Sequence, residues 1–264
     1  MANTLYSLSR SAANNKSDVL KGTPHDDVLH GSLGHTTFYG GLGDDIYYSK
    51  NAGDTIVEYA NEGNDTVYAD TTFTLPTHVE NLTLEGNGNT FGFGNNSNNI
   101  LIGNSGNNRL SGEEGNDFLY GMGGNDTLSG GNGNDHLNGG DGDDYLAGGL
   151  GSDTIITGAG RDTVAFTAAD IREGSIDRVV EFDPNTDKLD LSGMRSLLTG
   201  SNANLSWSKM FVDKDPEVIL QKDHPYLIFD TEQQTLAYRA AGSSSSTVFA
   251  KFDFGWLEAS NIIG

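Results

Sequence analysis

The chain has 264 residues and is strongly acidic, since 37 Asp and Glu against 15 Lys and Arg give a net charge of -22 at pH 7. This charge repels nucleic acid and anionic membrane surfaces, so it excludes both as partners and favours cations. Thirty-six glycines and a hydrophobic share of 35% argue against an ordinary globular core. The absence of cysteine rules out disulfides and thiolate metal sites.

The N-terminal lead-in, residues 1–21, has no apolar run of the kind that marks a secretory signal peptide. No segment of the chain approaches the ~18 consecutive apolar residues of a membrane span. We therefore expect no membrane span, and we expect any export to proceed without a cleaved N-terminal signal.

An imperfect nine-residue repeat occupies residues 22–68. Its turns are GTPHDDVLH, GSLGHTTFY, GGLGDDIYY and SKNAGDTIV over 22–57, followed after a two-residue slip by ANEGNDTVY over 60–68. The sixth place holds Asp27, Asp45, Asp54 and Asp65, whereas Thr36 replaces the acid in the second turn. The repeat predicts stacked turns in which Asp27, Asp45, Asp54 and Asp65 are candidate metal ligands, with Asp27 and Asp45 as a weaker candidate for a shared site.

An irregular interlude, residues 69–93, interrupts the repeat. Its proline-bearing sequence predicts a strand, a turn and a second strand. The period then returns over 94–111 with Asn99 and Asn108 in the sixth place. Two interpretations of these asparagines remain open, a structural ladder of side chains and a pair of weak calcium sites.

Six regular turns follow over residues 112–165, and with 94–111 they form the predicted roll of residues 94–165. The sixth place holds Asp117, Asp126, Asp135, Asp144, Asp153 and Asp162, and the eighth place always holds Leu, Ile or Val. Each turn thus combines a glycine-rich loop with a stretch suited to a short strand. Strands on alternate sides of a flattened coil would stack residues 18 apart, about 4.8 Å from one another.

The rhythm stops at residue 165, and residues 166–264 contain alternating apolar stretches such as PYLIFD and TVFAKFDF. We expect an antiparallel strand-rich cap, because the open end of a solenoid invites pairing with other chains. The predicted fold class is therefore all-β, a parallel β-roll with a C-terminal antiparallel cap. In the cap, Asp177, Asp183, Asp187 and Asp190 fit either a further calcium site or a solvated strand turn.

The acids of the regular turns need a cation, because residues 112–165 contain ten acidic residues and a single arginine. Calcium fits best, since it accepts carboxylate and carbonyl oxygens in irregular geometry, whereas zinc prefers His or Cys. We expect shared sites at the pairs Asp117/Asp135, Asp135/Asp153, Asp126/Asp144 and Asp144/Asp162. The glycines that would turn loop carbonyls toward the ions are Gly112, Gly115, Gly121, Gly124, Gly130, Gly133, Gly139, Gly142, Gly148 and Gly151.

These turns match GGxGxDxUx, the pattern of the calcium-binding β-roll in RTX proteins. The resemblance implies several bound calcium ions, type I secretion from a Gram-negative bacterium to the outside or the cell surface, and an uncleaved C-terminal secretion signal within residues 166–264. The segment 162–194 resembles the region after the roll in serralysin-type proteases and mannuronan epimerase modules. The interlude resembles a segment of large RTX adhesins.

The leading interpretation is a non-enzymatic module that folds on binding calcium, either alone or as part of an adhesin or exoenzyme. The alternative is a carbohydrate-binding module attached to a polysaccharide lyase or epimerase, with Phe118, Tyr120 and Tyr145 as candidate sugar-stacking rings. An enzyme proper would need a catalytic constellation, and the sequence has neither a GxSxG nor an HExxH motif.

Overall fold

The computed structural model describes residues 3–6, 18–173, 175–194, 211–212, 226–230, 233–240, 243, 245–253 and 262–263. Most of the expected lead-in and much of the expected secretion-signal region lie outside these residues. The first ten strands are β1 (Asn3–Tyr6), β2 (Asp18–Lys21), β3 (Asp27–His30), β4 (Thr36–Tyr39), β5 (Ile46–Ser49), β6 (Thr55–Val57), β7 (Thr66–Ala69), β8 (Phe73–Thr74), β9 (Asn81–Leu84) and β10 (Phe91–Phe93).

The strands of the regular turns and the end of the roll follow at similar spacing. They are β11 (Ile100–Ile102), β12 (Arg109–Glu114), β13 (Phe118–Tyr120), β14 (Thr127–Asn132), β15 (His136–Asp141), β16 (Tyr145–Leu150), β17 (Thr154–Ala159), β18 (Thr163–Ala165), β19 (Asp177–Val180) and β20 (Lys188–Asp190). Beyond them the described strands are β21 (Phe211–Val212), β22 (Tyr226–Asp230), β23 (Thr235–Arg239), β24 (Thr247–Phe252) and β25 (Ile262–Ile263).

Successive strands alternate between two sides of a coil, and from β1 to β18 each strand except β6 pairs in parallel with the strand two positions later. The odd-numbered strands from β1 to β19 form one continuous side. In the regular turns the pairing offset is 18 residues, as between Leu119 of β13 and Leu137 of β15. This parallel β-solenoid confirms the predicted fold class.

The even-numbered side is divided into two sheets. Strands β2, β4 and β6 form one of them, and β8 to β20 with β25 form the other. The division falls between Val57, where β6 ends, and Phe73, where β8 begins. It therefore coincides with the two-residue slip in the repeat.

The core is a ladder of eighth-place side chains that point into the coil from both sides. Leu119, Leu128, Leu137 and Leu146 are all 0% exposed, and the aromatic rings of Phe38 and Tyr47 fill the same place in earlier turns. One side chain per turn makes a thin core, because each strand contributes only its single inward residue.

The C-terminal end closes the roll with a different architecture. Strands β19 and β20 still pair in parallel with β17 and β18, whereas β22, β23 and β24 form an antiparallel meander joined to β19 through β24. The six-residue helix α1 (Ala168–Glu173) precedes β19. Thr167 caps its start: its hydroxyl accepts from the Ala169 amide, and its amide and hydroxyl both donate to the Asp170 carboxylate. Among the described residues no helix has the length and hydropathy needed to cross a membrane.

Candidate metal centre

The sixth-place aspartates form two columns, one at each edge of the roll. In the odd-side column, the backbone amide of Asp117 donates to Oδ1 of Asp135 at 2.8 Å, and the amide of Asp135 donates to Oδ1 of Asp153 at 2.8 Å. In the even-side column, the amide of Asp126 donates to Asp144 at 2.7 Å, and that of Asp144 donates to Asp162 at 2.9 Å. The structure thus brings together all four predicted pairs.

The columns continue beyond the regular turns. The amide of Asp153 donates to Oδ1 of Asp177, and that of Asp162 donates to Oδ1 of Asp187, each at 3.0 Å. Both cap residues are buried, whereas Asp183 contacts its own turn by accepting from the amide of Asn185. The offsets are 24 and 25 residues, so the nonapeptide spacing gave no signal for these two positions.

The second carboxylate oxygen of each sixth-place acid in the regular turns is buried in the roll. For Asp117, Asp126, Asp135, Asp144 and Asp162, Oδ2 is shielded from solvent and accepts no hydrogen bond from the described residues. Burial raises the pKa of Asp117, Asp126 and Asp162 to about 7, and that of Asp135 and Asp144 to about 6. A buried, unpartnered carboxylate oxygen is costly, and a bound cation would offset that cost.

The first-place glycines make room beside these oxygens. A Cβ added to Gly112 would meet Oδ2 of Asp117 and the carbonyl oxygen of Gly130, the latter at 2.6 Å. The same pairing of carboxylate and carbonyl oxygens surrounds Gly121, Gly130 and Gly139, and at Gly148 the Oδ2 of Asp153 lies equally close. We call the space beside each first-place glycine a cradle. It is lined by one side-chain oxygen and, in four of these five turns, by a backbone carbonyl from the turn stacked next to it.

The fourth-place glycines shape the loop itself. Their φ angles are positive: 116° at Gly115, 101° at Gly124, 132° at Gly133, 134° at Gly142 and 122° at Gly151. Only glycine adopts this backbone region without strain, so these positions fix the turn that carries the sixth-place acid.

The earlier turns divide into two types of aspartate. At Asp45 and Asp65 the buried Oδ2 has no hydrogen-bond partner among the described residues, as in the regular turns. At Asp27, Oδ2 accepts from the amide of Thr23, and at Asp54 it accepts from the Ser49 hydroxyl at 2.9 Å and the Lys50 amide at 3.1 Å. At Asp27 and Asp54, hydrogen bonds from the protein therefore stabilise the buried Oδ2, which at Asp45 and Asp65 a bound cation would stabilise.

The substituted sixth places use hydrogen bonds instead of charge. The side-chain amide of Asn99 donates to the Glu80 carbonyl at 3.1 Å, and that of Asn108 donates to the Thr90 carbonyl at 3.2 Å. The amide of Thr36 donates to Oδ1 of Asp54 at 2.7 Å, so the turn keeps the column contact. These contacts support the structural interpretation of the two asparagines.

A second ladder lies at the neighbouring fifth place, which sequence reasoning missed. The amide of Asn116 donates to Oδ1 of Asn98, and the amide of Asn134 donates to Oδ1 of Asn116, each at 2.7 Å. Asn107, Asn125 and Asp143 make the equivalent contacts on the other side. The recurrence of Asn at this place was the available signal, and these exposed side chains hold the stacked loops in register.

The donor set fits calcium. Carboxylate oxygens next to backbone carbonyls are the hard ligands that Ca²⁺ prefers, and neither sulfur nor imidazole lines these cradles. Among the described residues no group of three or more His, Asp or Glu side chains is arranged around one metal position. Each site must therefore draw on carbonyl oxygens.

Arg161, the one Lys or Arg residue of the regular turns, pairs with Asp143 at 2.6 Å, outside the columns.

The fold and the two acid columns define a parallel β-roll of acidic nonapeptide turns. The RTX calcium-binding nonapeptide repeat matches the chain in four copies, at residues 13–47, 21–56, 93–128 and 129–164. These segments are RTX calcium-binding repeats, and calcium is the ion that such repeats bind.

No curated protein matches the chain. Among solved structures, a subunit of the mannuronan C5-epimerase from Azotobacter vinelandii, determined in solution, is 22% identical. The similarity covers 64% of this chain and 78% of that one, with a TM-score of 0.27.

Proposed function

We propose that this chain is a calcium-binding module that folds when calcium binds and forms the structural part of an extracellular protein or adhesin. The observation that carries the proposal is the buried Oδ2 of Asp117, Asp126, Asp135, Asp144 and Asp162, which no protein donor reaches among the described residues. In this proposal the four predicted pairs each share one ion, and Asp153 takes part in the pair with Asp135.

Calcium would supply stability that the roll otherwise lacks. Residues 112–165 contain sixteen glycines, and each costs roughly 0.5–1 kcal/mol relative to alanine in ordered structure. An independent site held at 100 times its dissociation constant contributes about 2.7 kcal/mol. Four such sites contribute about 11 kcal/mol, which matches the stability of a typical domain. The ions are therefore structural, and their removal should unfold the regular turns.

A calcium titration followed by far-UV circular dichroism tests this function. We expect a cooperative transition from coil to sheet with calcium and none with magnesium, because magnesium requires a stricter octahedral site. A roll that is fully folded in chelator and unchanged by calcium would overturn the proposal.

The same dependence suits a protein that is exported unfolded. Low cytoplasmic calcium would keep the chain extended for a type I secretion machinery, and the higher calcium outside a Gram-negative cell would fold it. We expect the chain to be exported by a host carrying such a machinery, and we expect a variant lacking residues 205–264 to stay inside. Equal export of both chains would contradict a C-terminal secretion signal.

Carbohydrate binding is a second candidate, favoured by a strip of stacked rings. On the odd-numbered side, the rings of His30 and Tyr48 stack at 4.4 Å, and those of Tyr48 and Tyr68 stack at 5.1 Å. These half-buried rings in a row present their edges and the tyrosine hydroxyls, a strip that is partly apolar and partly polar and that suits contact with sugars. Retention on an alginate column at constant calcium tests this candidate. Y48A should elute earlier than the native chain, and Y59A, which changes an exposed ring outside the strip, should not.

A further inference from the structure

Glu58 lies where the stacking pattern would place a glycine. Gly22 and Gly40 are first-place glycines 18 residues apart, and the next residue at that interval is Glu58, at the two-residue slip. In most other turns, although not at Gly31 or Gly148, the residue 18 positions after a first-place glycine turns its carbonyl oxygen toward that glycine, as Gly40 does at Gly22 and Thr157 does at Gly139. At Gly40 the Glu58 carboxylate takes this place, and its Oε1 accepts the Gly40 amide at 3.0 Å.

Three side-chain oxygens converge on this one position. The Tyr47 hydroxyl, Oδ2 of Asp45 and Oε1 of Glu58 all lie within 2.5 Å of the point where a Cβ on Gly40 would be. Tyr47 donates its hydroxyl hydrogen to Oε1 of Glu58. Asp45 is 1% exposed and Glu58 is 6% exposed. Oδ2 of Asp45 and Oε2 of Glu58 are both shielded from solvent and accept no hydrogen bond from the described residues.

A third buried carboxylate adds to the charge. The amide of Asp45 donates to Oδ1 of Asp65 at 2.8 Å, and Oδ2 of Asp65 is also buried without a described donor. Burial raises the pKa of both acids, and the nearby Glu58 carboxylate raises them further. Lys50, the base nearest in sequence, pairs with Asp70 at 2.9 Å and Glu85 at 3.2 Å. Among the described ion pairs, none reaches Asp45, Glu58 or Asp65.

We propose that Asp45 and Glu58 form a calcium site outside the nonapeptide pattern, in which the Glu58 carboxylate replaces a glycine carbonyl of the regular cradle. The ion would then stabilise the two-residue slip, where the even-numbered side divides into two sheets. Its site would contain one more carboxylate than a regular site. A more anionic donor set favours hard cations of higher charge, so lanthanides should bind there as well. The choice of ion rests on the proposed calcium function.

Counting ions in the full-length chain tests the site. Calcium bound at saturation is measured by equilibrium dialysis for the native chain, E58Q and the control E114Q, which changes an exposed glutamate of the regular turns. We expect E58Q to bind one ion fewer than the native chain, and we expect E114Q to bind the native number. Far-UV circular dichroism in calcium shows that each variant keeps the roll.

Terbium luminescence locates the ion, because Tyr47 lies against the site and can transfer excitation to a bound lanthanide. E58Q and Y47F should lose the same part of the tyrosine-sensitised emission, E58Q by losing the ion and Y47F by losing the donor ring. E114Q should lose none. An E58Q chain that keeps the native ion count and the full emission would overturn the site and leave a Tyr47–Glu58 hydrogen bond alone. A native chain that binds no calcium would instead overturn the proposed function.

Discussion

The backbone amide of Asp117 donates a 2.8 Å hydrogen bond to Oδ1 of Asp135, a residue that stands 18 positions later in the chain. One oxygen of each column acid is thereby committed to holding two turns together. From Asp117 to Asp153, the other oxygen of each acid lies beside the first-place glycine of its own turn. The same side chain therefore sets the stacking of the backbone and offers a ligand, which couples the order of the turns to ion binding.

Replacing an aspartate that belongs to two predicted pairs should remove more bound ions than replacing one at the end of a column. D135N should lower the number of bound ions by two, and D117N by one, because Asp117 follows Asn99 and belongs to a single predicted pair. Each lost site should cost about 2.7 kcal/mol at 100 times its dissociation constant. Isothermal titration calorimetry counts the ions. D141N removes an exposed acid near the columns and should bind the native number. Equal losses in D117N and D135N would contradict shared sites.

The stability of the calcium-free roll should rise as the pH falls from 8.5 to 5.5. The column acids have an ordinary pKa of 3.8, and burial raises it to about 6 or 7 in the folded chain. Protons therefore bind the folded state more tightly, and the stability they supply is lost as the pH rises through 6 to 7. Thermal melting in chelator at several pH values measures the trend.

Calcium should reverse this dependence. Protons compete with the ion for Oδ2, so the affinity for calcium should fall as the pH is lowered through 7 and 6. The melting curves with and without calcium should converge at the acidic end. Parallel curves over the whole range would show that the column acids are not ligands.

Filling one cradle should abolish one site. In G130A the added Cβ would meet Oδ2 of Asp135 and, at 2.5 Å, the carbonyl oxygen of Gly148. We expect a lost ion and about 1–3 kcal/mol of destabilisation from overpacking. G88A is the matched control, because a Cβ there meets nothing within 4 Å, and it should be neutral to within about 0.5 kcal/mol. A native ion count in G130A would mean that the cradle is not the site.

The fifth-place ladder should affect stability without affecting ion binding. N116A removes the acceptor of the Asn134 amide, a hydrogen bond of 2.7 Å at an exposed position. We expect a loss of about 0.5–1.5 kcal/mol, measured by urea unfolding in calcium, with no change in the number of bound ions. A change in ion number would place the ladder within the metal sites.

The period of nine predicted much of the fold, because each turn contacts only its neighbours and local spacing sets the stacking. The inward eighth place and the 18-residue pairs at Asp117 and Asp135 could be read directly. Positions joined by longer loops could not, since insertions hide the interval that links Asp153 to Asp177. Nor could the sequence separate Asp54 from Asp45. That difference depends on the Ser49 hydroxyl and the Lys50 amide, both of which donate to Oδ2 of Asp54.

The acid columns also have a direction. Every Oδ1 reaches back to an amide that stands earlier in the chain, and Asp177 and Asp187 are the last acceptors of the two columns. A turn added at the N-terminal end meets a carboxylate already fixed in place, whereas one added at the C-terminal end must bring its own. The roll therefore has two unlike ends: an N-terminal neighbour needs only free backbone amides to join a column, whereas a C-terminal neighbour needs a carboxylate in the right place.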